Sequence, residues 1–209
     1  MRVAIAYPPL KSDKGVALLT QNRQFQWFSR PTYIFPVVPA TAATMVKKLG
    51  HDVLFLDGIA GEMTEDAFLE RLKSFSPDVV VIETKTPVVK RHWDWIDCWK
   101  KSNPDCSTVL VGDHVTALPQ ESMEKSSVDY IFTGGDWDFL LANAVQNNFN
   151  PEKFESGIWY RQGGQVLNTG RFCLNHNLSA APWIDRELVN WKLYAYKNGN
   201  FRQTPGTYI

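Results

Sequence analysis

Short apolar runs recur along this chain, and most end in a glycine-rich or hydroxyl-rich polar turn. The runs are Val3–Ala6, Val53–Leu56, Val79–Ile82, Val109–Val111 and Tyr130–Phe132. The turns after them are Tyr7-Pro-Pro9, Asp57-Gly58, Glu83-Thr-Lys-Thr86, Gly112-Asp-His114 and Gly134-Gly-Asp136. Stretches of helical character separate the runs: about Pro39 to Leu49, a segment capped by Thr64, Val88 to Lys101, one after Pro119, and one opening near Asp136. Strands that are apolar on both faces and alternate with helices form parallel sheets covered on each side. The pattern predicts an α/β doubly wound, flavodoxin- or Rossmann-like sheet of five parallel strands. The expected order is 2-1-3-4-5, because right-handed crossovers with one reversal of winding give it.

Residues 1–150 carry this series. Beyond Asn150 the pattern changes: Gly157–Tyr160 and Val166–Asn168 flank Gly163-Gly164 as a β-hairpin would. The remainder of 151–209 is aperiodic and aromatic, and reads as an extended C-terminal tail. The long segment from Leu10 to Phe35 also lacks periodicity but holds Phe25, Trp27, Phe28 and Tyr33. Its aromatic content argues for a flap over a site rather than disorder.

In doubly wound sheets a ligand binds outside the carboxyl ends of the strands, where these turns fall. Tyr7, Pro8, Asp57, Gly58, Ile59, Thr84, Lys85, Thr86, Gly112, Asp113, His114, Gly134, Gly135 and Asp136 are therefore the candidate cofactor-binding residues. Glycines 112, 134 and 135 let a ligand approach the backbone, and their missing side chains would leave a slot. Thr84 and Thr86 offer hydroxyls, and Asp57 stands where dinucleotide folds hold a sugar hydroxyl. The first turn has no GxGxxG, which removes that mode of nucleotide-phosphate binding. No nucleophile–base pair and no paired carboxylates stand out, so no catalytic residue is assigned.

Composition narrows the classes further. Lys+Arg and Asp+Glu are both 22, so no broad attraction to nucleic acid or acidic membranes is expected. No run approaches a membrane span and no export signal is evident, which makes a cytoplasmic location the expectation. Cys98, Cys106 and Cys173 form no disulfide framework or metal-ligand spacing, and Cys98 and Cys106 read as buried small residues. The tryptophans around Trp95 and Trp99 sit at i, i+4 and read as packing.

The ordered set Tyr7-Pro-Pro-Leu10, Leu49–Val53 with Asp57, Ser76-Pro-Asp-Val79, Val111–Thr116 with Pro119-Gln-Glu121, and Val128–Gly135 resembles the amino-terminal cobalamin-binding domain of radical S-adenosylmethionine (SAM) enzymes. Gly157–Arg161 and Leu178–Arg186 resemble that family's connector, so the likeness runs along nearly the whole chain. It implies cobalamin in this domain, with S-adenosylmethionine and a four-iron four-sulfur cluster in a downstream catalytic barrel. That barrel would be the partner, in cis or trans, together with a small-molecule substrate. The reaction implied is methyl transfer or a radical rearrangement such as a cyclisation. Two departures stand out. Ile59 occupies the position of the cobalt-ligating histidine in Asp-x-His-x-x-Gly, which implies cobalamin held with neither its own base nor a histidine on cobalt. Asp136 replaces the second glycine of the family's glycine–acid–glycine–acid turn.

The family's Cys-x-x-x-Cys-x-x-Cys motif is absent. It would follow a strand like Gly206–Ile209, so the chain reads as a piece ending just before the barrel, inactive by itself. Two alternatives stay open: a degenerate domain of the same fold that holds no cobalamin and serves docking or substrate gating, and a flavodoxin-like nucleotide or flavin protein.

Overall fold

A computed structural model describes residues 1–19 and 25–196. In chain order it contains β1 (Arg2–Tyr7), a ribbon of β2 (Val16–Leu18) and β3 (Gln26–Phe28), α1 (Val37–Lys48), β4 (Asp52–Asp57), α2 (Glu65–Phe75), β5 (Val79–Glu83) and α3 (Val89–Ser102). There follow β6 (Ser107–Val111), α4 (Asp113–Ala117), α5 (Pro119–Lys125), β7 (Tyr130–Phe132), α6 (Trp137–Gln146), the hairpin β8 (Ile158–Gln162) and β9 (Gln165–Asn168), and α7 (Lys192–Tyr196).

The main sheet runs β4-β1-β5-β6-β7-β8-β9. Its first five strands are parallel and stand in the expected 2-1-3-4-5 order. The hairpin does not hang off the domain. β8 pairs antiparallel with β7, Ile131 opposite Trp159, and carries the sheet to seven strands.

Local chemistry explains the elements. All five residues of β5 are buried, as a strand covered on both faces requires. Thr64 caps α2 by accepting the Ala67 amide at 3.3 Å, with Glu65 and Asp66 at the positive end of the helix dipole. β1 sorts its side chains by alternation. Val3, Ile5 and Tyr7 join the layer of α1 and α6, while Ala4 and Ala6 join that of α2 and α3. Phe68 and Leu72 lie fully buried in the second layer, each contributing about 1.5–3 kcal/mol of hydrophobic stabilisation.

Several expectations change. The helix placed at Pro39 starts at Val37, and a short α4 precedes the helix at Pro119. The segment read as an aromatic flap contains the β2–β3 ribbon and sends Leu19, Tyr33 and Phe35 into the core. The tail is not extended throughout, because α7 buries Tyr194 and Ala195. Cys98 is exposed, since it lies on the outward face of α3, while Cys106 is buried. Trp95 and Trp99 stack at 5.5 Å with planes 7° apart. Residues 206–209, which resemble the family's next strand, lie outside the described residues. Among the described residues no helix is long and apolar enough to cross a membrane.

Candidate functional site

The carboxyl edge of the sheet gathers the expected turns and threads them with buried polar contacts. Tyr7 donates its hydroxyl to Glu83 Oε2 at 2.7 Å. Lys85 Nζ lies 3.5 Å from Glu83 Oε1 and donates to Asp113 Oδ2 at 2.8 Å. A chain of contacts thus runs from β1 through the β5 turn to the start of α4. Burial holds the Tyr7 phenol well above its ordinary range, and the Glu83 charge adds to this. Burial also raises Glu83, opposed by Lys85 and the Tyr7 hydroxyl.

Asp57 ends β4 with both oxygens in use. Oδ1 accepts the amides of Ile59 and Ala60 at 2.9 and 2.8 Å, and Oδ2 accepts the Tyr194 hydroxyl at 2.8 Å. Burial raises this carboxyl, and those three donors pull it back. The sequence suggested a sugar contact for Asp57, but here it shapes the Gly58–Ala60 loop and anchors α7. Ile59, held by that loop, lines a cleft of about 410 Å³ with Leu10, Tyr33, Gly58 and Met63, bordered by Val16 of the ribbon. Pro9 also lines it, and Pro8 immediately precedes Pro9 in the chain.

The hydroxyls of the β5 turn are both partnered. Thr84 Oγ1 pairs with His92 Nδ1 at 2.8 Å and Thr86 Oγ1 with His114 Nδ1 at 3.2 Å. The His114 Nε2 lies 3.2 Å from Glu121 Oε2. His92 is fully buried, and desolvation, with Arg91 adding to it, lowers its pKa to about 4. Its Nε2 has no hydrogen-bond partner among the described residues.

The glycines divide into three cases. Gly112 has φ +112°, and a Cβ built there would collide with the Thr84 carbonyl oxygen. It allows two strand ends to touch and supplies no slot volume, contrary to the expectation. Gly134 has φ +90°, and its Cβ direction is filled by the Phe172 ring. Gly135 faces open space. Asp136, next in the turn, approaches His176 at 3.4 Å.

Sequence reasoning missed Glu83, His92, Phe172, His176 and Tyr194. An acid closing a Val/Ile run was a legible sign for Glu83, because a buried carboxylate needs donors. Phe172, His176 and Tyr194 come from aperiodic chain and carried no comparable signal.

A doubly wound sheet with its turns gathered at the β1/β5 switch point defines a class of ligand-holding domain. Known proteins share this fold or part of this sequence. The fold matches that of OxsB, a cobalamin-dependent S-adenosylmethionine radical enzyme solved with aqua-cobalamin bound, at TM-score 0.64 and 14% identity over 92% of this chain and 25% of that one. It also matches TsrM, a radical S-adenosylmethionine methyltransferase from Kitasatospora setae solved with cobalamin and a [4Fe-4S] cluster, at TM-score 0.57 and 16% identity over 87% and 30% of the two chains. In sequence the chain is 33% identical over 172 residues to an anaerobic magnesium-protoporphyrin IX monomethyl ester cyclase of Rubrivivax gelatinosus, covering 81% of this chain and 26% of the cyclase. An uncharacterized methyltransferase of Pyrococcus horikoshii is 28% identical over 161 residues, 76% of this chain and 35% of that protein. No protein-family model matches the chain. The resemblance to cobalamin-dependent radical SAM enzymes therefore holds in fold, over a chain spanning about a third or less of these relatives' lengths.

Proposed function

We propose that this chain is a cobalamin-holding domain of a radical S-adenosylmethionine enzyme of methyltransferase or cyclase type. The cluster and S-adenosylmethionine would belong to a partner catalytic domain, and the substrate would be a small molecule. The observation that carries this reading is the 2-1-3-4-5 sheet with the Ile59 cleft and the Gly134–Asp136 turn at its carboxyl edge. When bound, cobalamin would supply a cobalt centre able to carry and release an alkyl group.

The residues fit the group at one end of the edge. Leu10, Ile59 and Met63 are apolar where a corrin face would lie, and Gly58, whose Cβ direction is filled by Pro9, Phe68 and the Tyr7 carbonyl, would hold the loop close to the Pro8–Leu10 turn. Gly135, open on its Cβ side, would admit the nucleotide tail. Between these ends the exposed Thr86 and Asp113 would meet polar groups of the ligand, held by the buried His114 and Lys85 that bond to them, while Thr84 is buried against His92. An aliphatic side chain at 59 has no lone pair to donate, so cobalt would take no nitrogen from this loop.

Hydroxocobalamin titration under anaerobic, reducing conditions, followed by absorbance, tests the reading; saturable uptake supports it and no uptake removes it. Electron paramagnetic resonance of the reduced complex tests the finer point. The expected spectrum lacks nitrogen superhyperfine splitting. One observation favours a second reading: the Phe172 ring against Gly134 fills space that the first reading gives to the ligand. A docking or gating domain of the same fold, holding no cobalamin, would show that filling permanently and would take up none.

A further inference from the structure

The turn that should admit the ligand's tail is covered by a segment of the chain's own connector. After β9, Gly170 still bonds to the sheet, its carbonyl accepting the Gly157 amide at 3.1 Å. From Arg171 to Asn177, among the described residues, the backbone makes no hydrogen bond to any strand or helix of the body. Arg171, Cys173, Leu174, Asn175 and Asn177 are exposed, and Phe172 and His176 turn inward.

Those two side chains hold the segment at both ends of one turn. The Phe172 ring fills the Cβ direction of Gly134, and the Cβ and Cα of Phe172 lie against that of Gly157. His176 Nε2 lies 2.7 Å from Glu155 Oε2, its Nδ1 lies 3.4 Å from Asp136 Oδ2, and its ring stacks on Phe139 at 4.6 Å. Gly134 and Asp136 are the first and last residues of the glycine turn. A segment with few backbone bonds, pinned by two side chains, opens at low cost compared with the sheet beneath it.

We infer that residues 171–177 form a strap, latched by Phe172 and His176, which closes the Gly134–Asp136 end of the site and lifts when ligand enters. The inference rests on the cobalamin reading. It explains how an edge otherwise suited to the cofactor carries an aromatic ring over Gly134. Neither latch residue need contact the ligand, so their effect falls on entry rather than on affinity for the open form.

The test compares wild type, Phe172→Ala and His176→Ala by stopped-flow absorbance with hydroxocobalamin. The two variants release opposite ends of the strap, so a folding defect in one leaves the other informative. Releasing either latch is expected to speed association roughly tenfold, as a shift of about 1.4 kcal/mol toward the open strap would do. A spin label on Cys173, with Cys98→Ser and Cys106→Ala in place, gives an independent readout and is expected to gain mobility when hydroxocobalamin binds. Binding at the same rate in all three proteins, with an unmoved label, would overturn the strap and leave the cobalamin reading standing. No binding by any of them overturns both.

Discussion

Tyr7 at the end of β1 and Glu83 at the end of β5 share a hydrogen bond of 2.7 Å, both buried, across the point where the sheet reverses its winding. The bond joins the two strands whose turns diverge to opposite faces, so it fixes the crevice between them. Tyr7→Phe would leave Glu83 with Lys85 at 3.5 Å as its remaining partner among the described residues. The expected cost is about 1–3 kcal/mol, the penalty for stripping a donor from a buried acceptor. Urea denaturation of the variant checks it, and a change below about 0.5 kcal/mol would show the bond to be replaceable.

Gly112 and Gly135 should respond in opposite ways. Gly112→Ala places a methyl against the Thr84 carbonyl at a positive φ, and the combined strain and overpacking should exceed about 2 kcal/mol. Gly135→Leu meets open space and should leave stability within about 0.5 kcal/mol. Under the proposed function Gly135→Leu should weaken cobalamin uptake while the protein stays folded. Thermal denaturation paired with the titration separates the two effects.

The contrast between these glycines shows what the sequence could and could not tell. Strand order, the hairpin at Gly163-Gly164 and the cap at Thr64 follow from periodicity and local chemistry, and all three appear as read. Both Gly112 and Gly134 follow a strand in the sequence, and nothing local distinguishes a glycine facing its neighbour's backbone from one facing a remote ring. Phe172 reaches Gly134 from 38 residues away, with no pattern to announce it. Tyr194 reaches Asp57 across 137 residues, so the anchor of that loop was equally hidden.

Two buried groups should give the pH dependence of stability opposing slopes. Burial, with Asp136 adding to it, raises the Asp138 carboxyl from 3.8 to about 6, against the pull of nearby amides and His176. Its contribution is full below pH 3.8 and is lost as pH rises to about 6, a span worth about 3 kcal/mol at most. His92 runs the other way. Its pKa falls from 6.5 to about 4, so stability is full above 6.5 and is lost as pH drops toward 4. Wild type should therefore change little between pH 6 and 4 from these two groups. Asp138→Asn should lose stability on acidification through that window, and His92→Gln should gain it. Denaturation midpoints at pH 7.5, 5 and 4 test the signs; parallel curves for all three proteins would refute the assignment.

Tyr194→Phe should loosen α7 without disturbing the sheet. It removes the phenolic donor to Asp57 while the Ile59 and Ala60 amides stay in place. The expected loss is about 1–3 kcal/mol. Hydrogen exchange is expected to quicken in 192–196 before it does so in β1 or β5; equal acceleration in all three would mean that α7 unfolds only with the whole domain.

The position of β1 has a consequence for how the chain comes off the ribosome. Although first in sequence, it is a central strand, pairing Val3 with both Val53 and Val79. Its second flank cannot close until 76 further residues have been added, since that is the separation of Val3 and Val79. At roughly 5–20 residues per second this takes about 4–15 s. During synthesis Val3–Ala6 is a nascent hydrophobic segment with one open edge, a natural place for a chaperone to hold. Adding the later hairpin is a local event by comparison, since Ile131 and its partner Trp159 are only 28 residues apart, so β1 waits longer than β7 for its second neighbour.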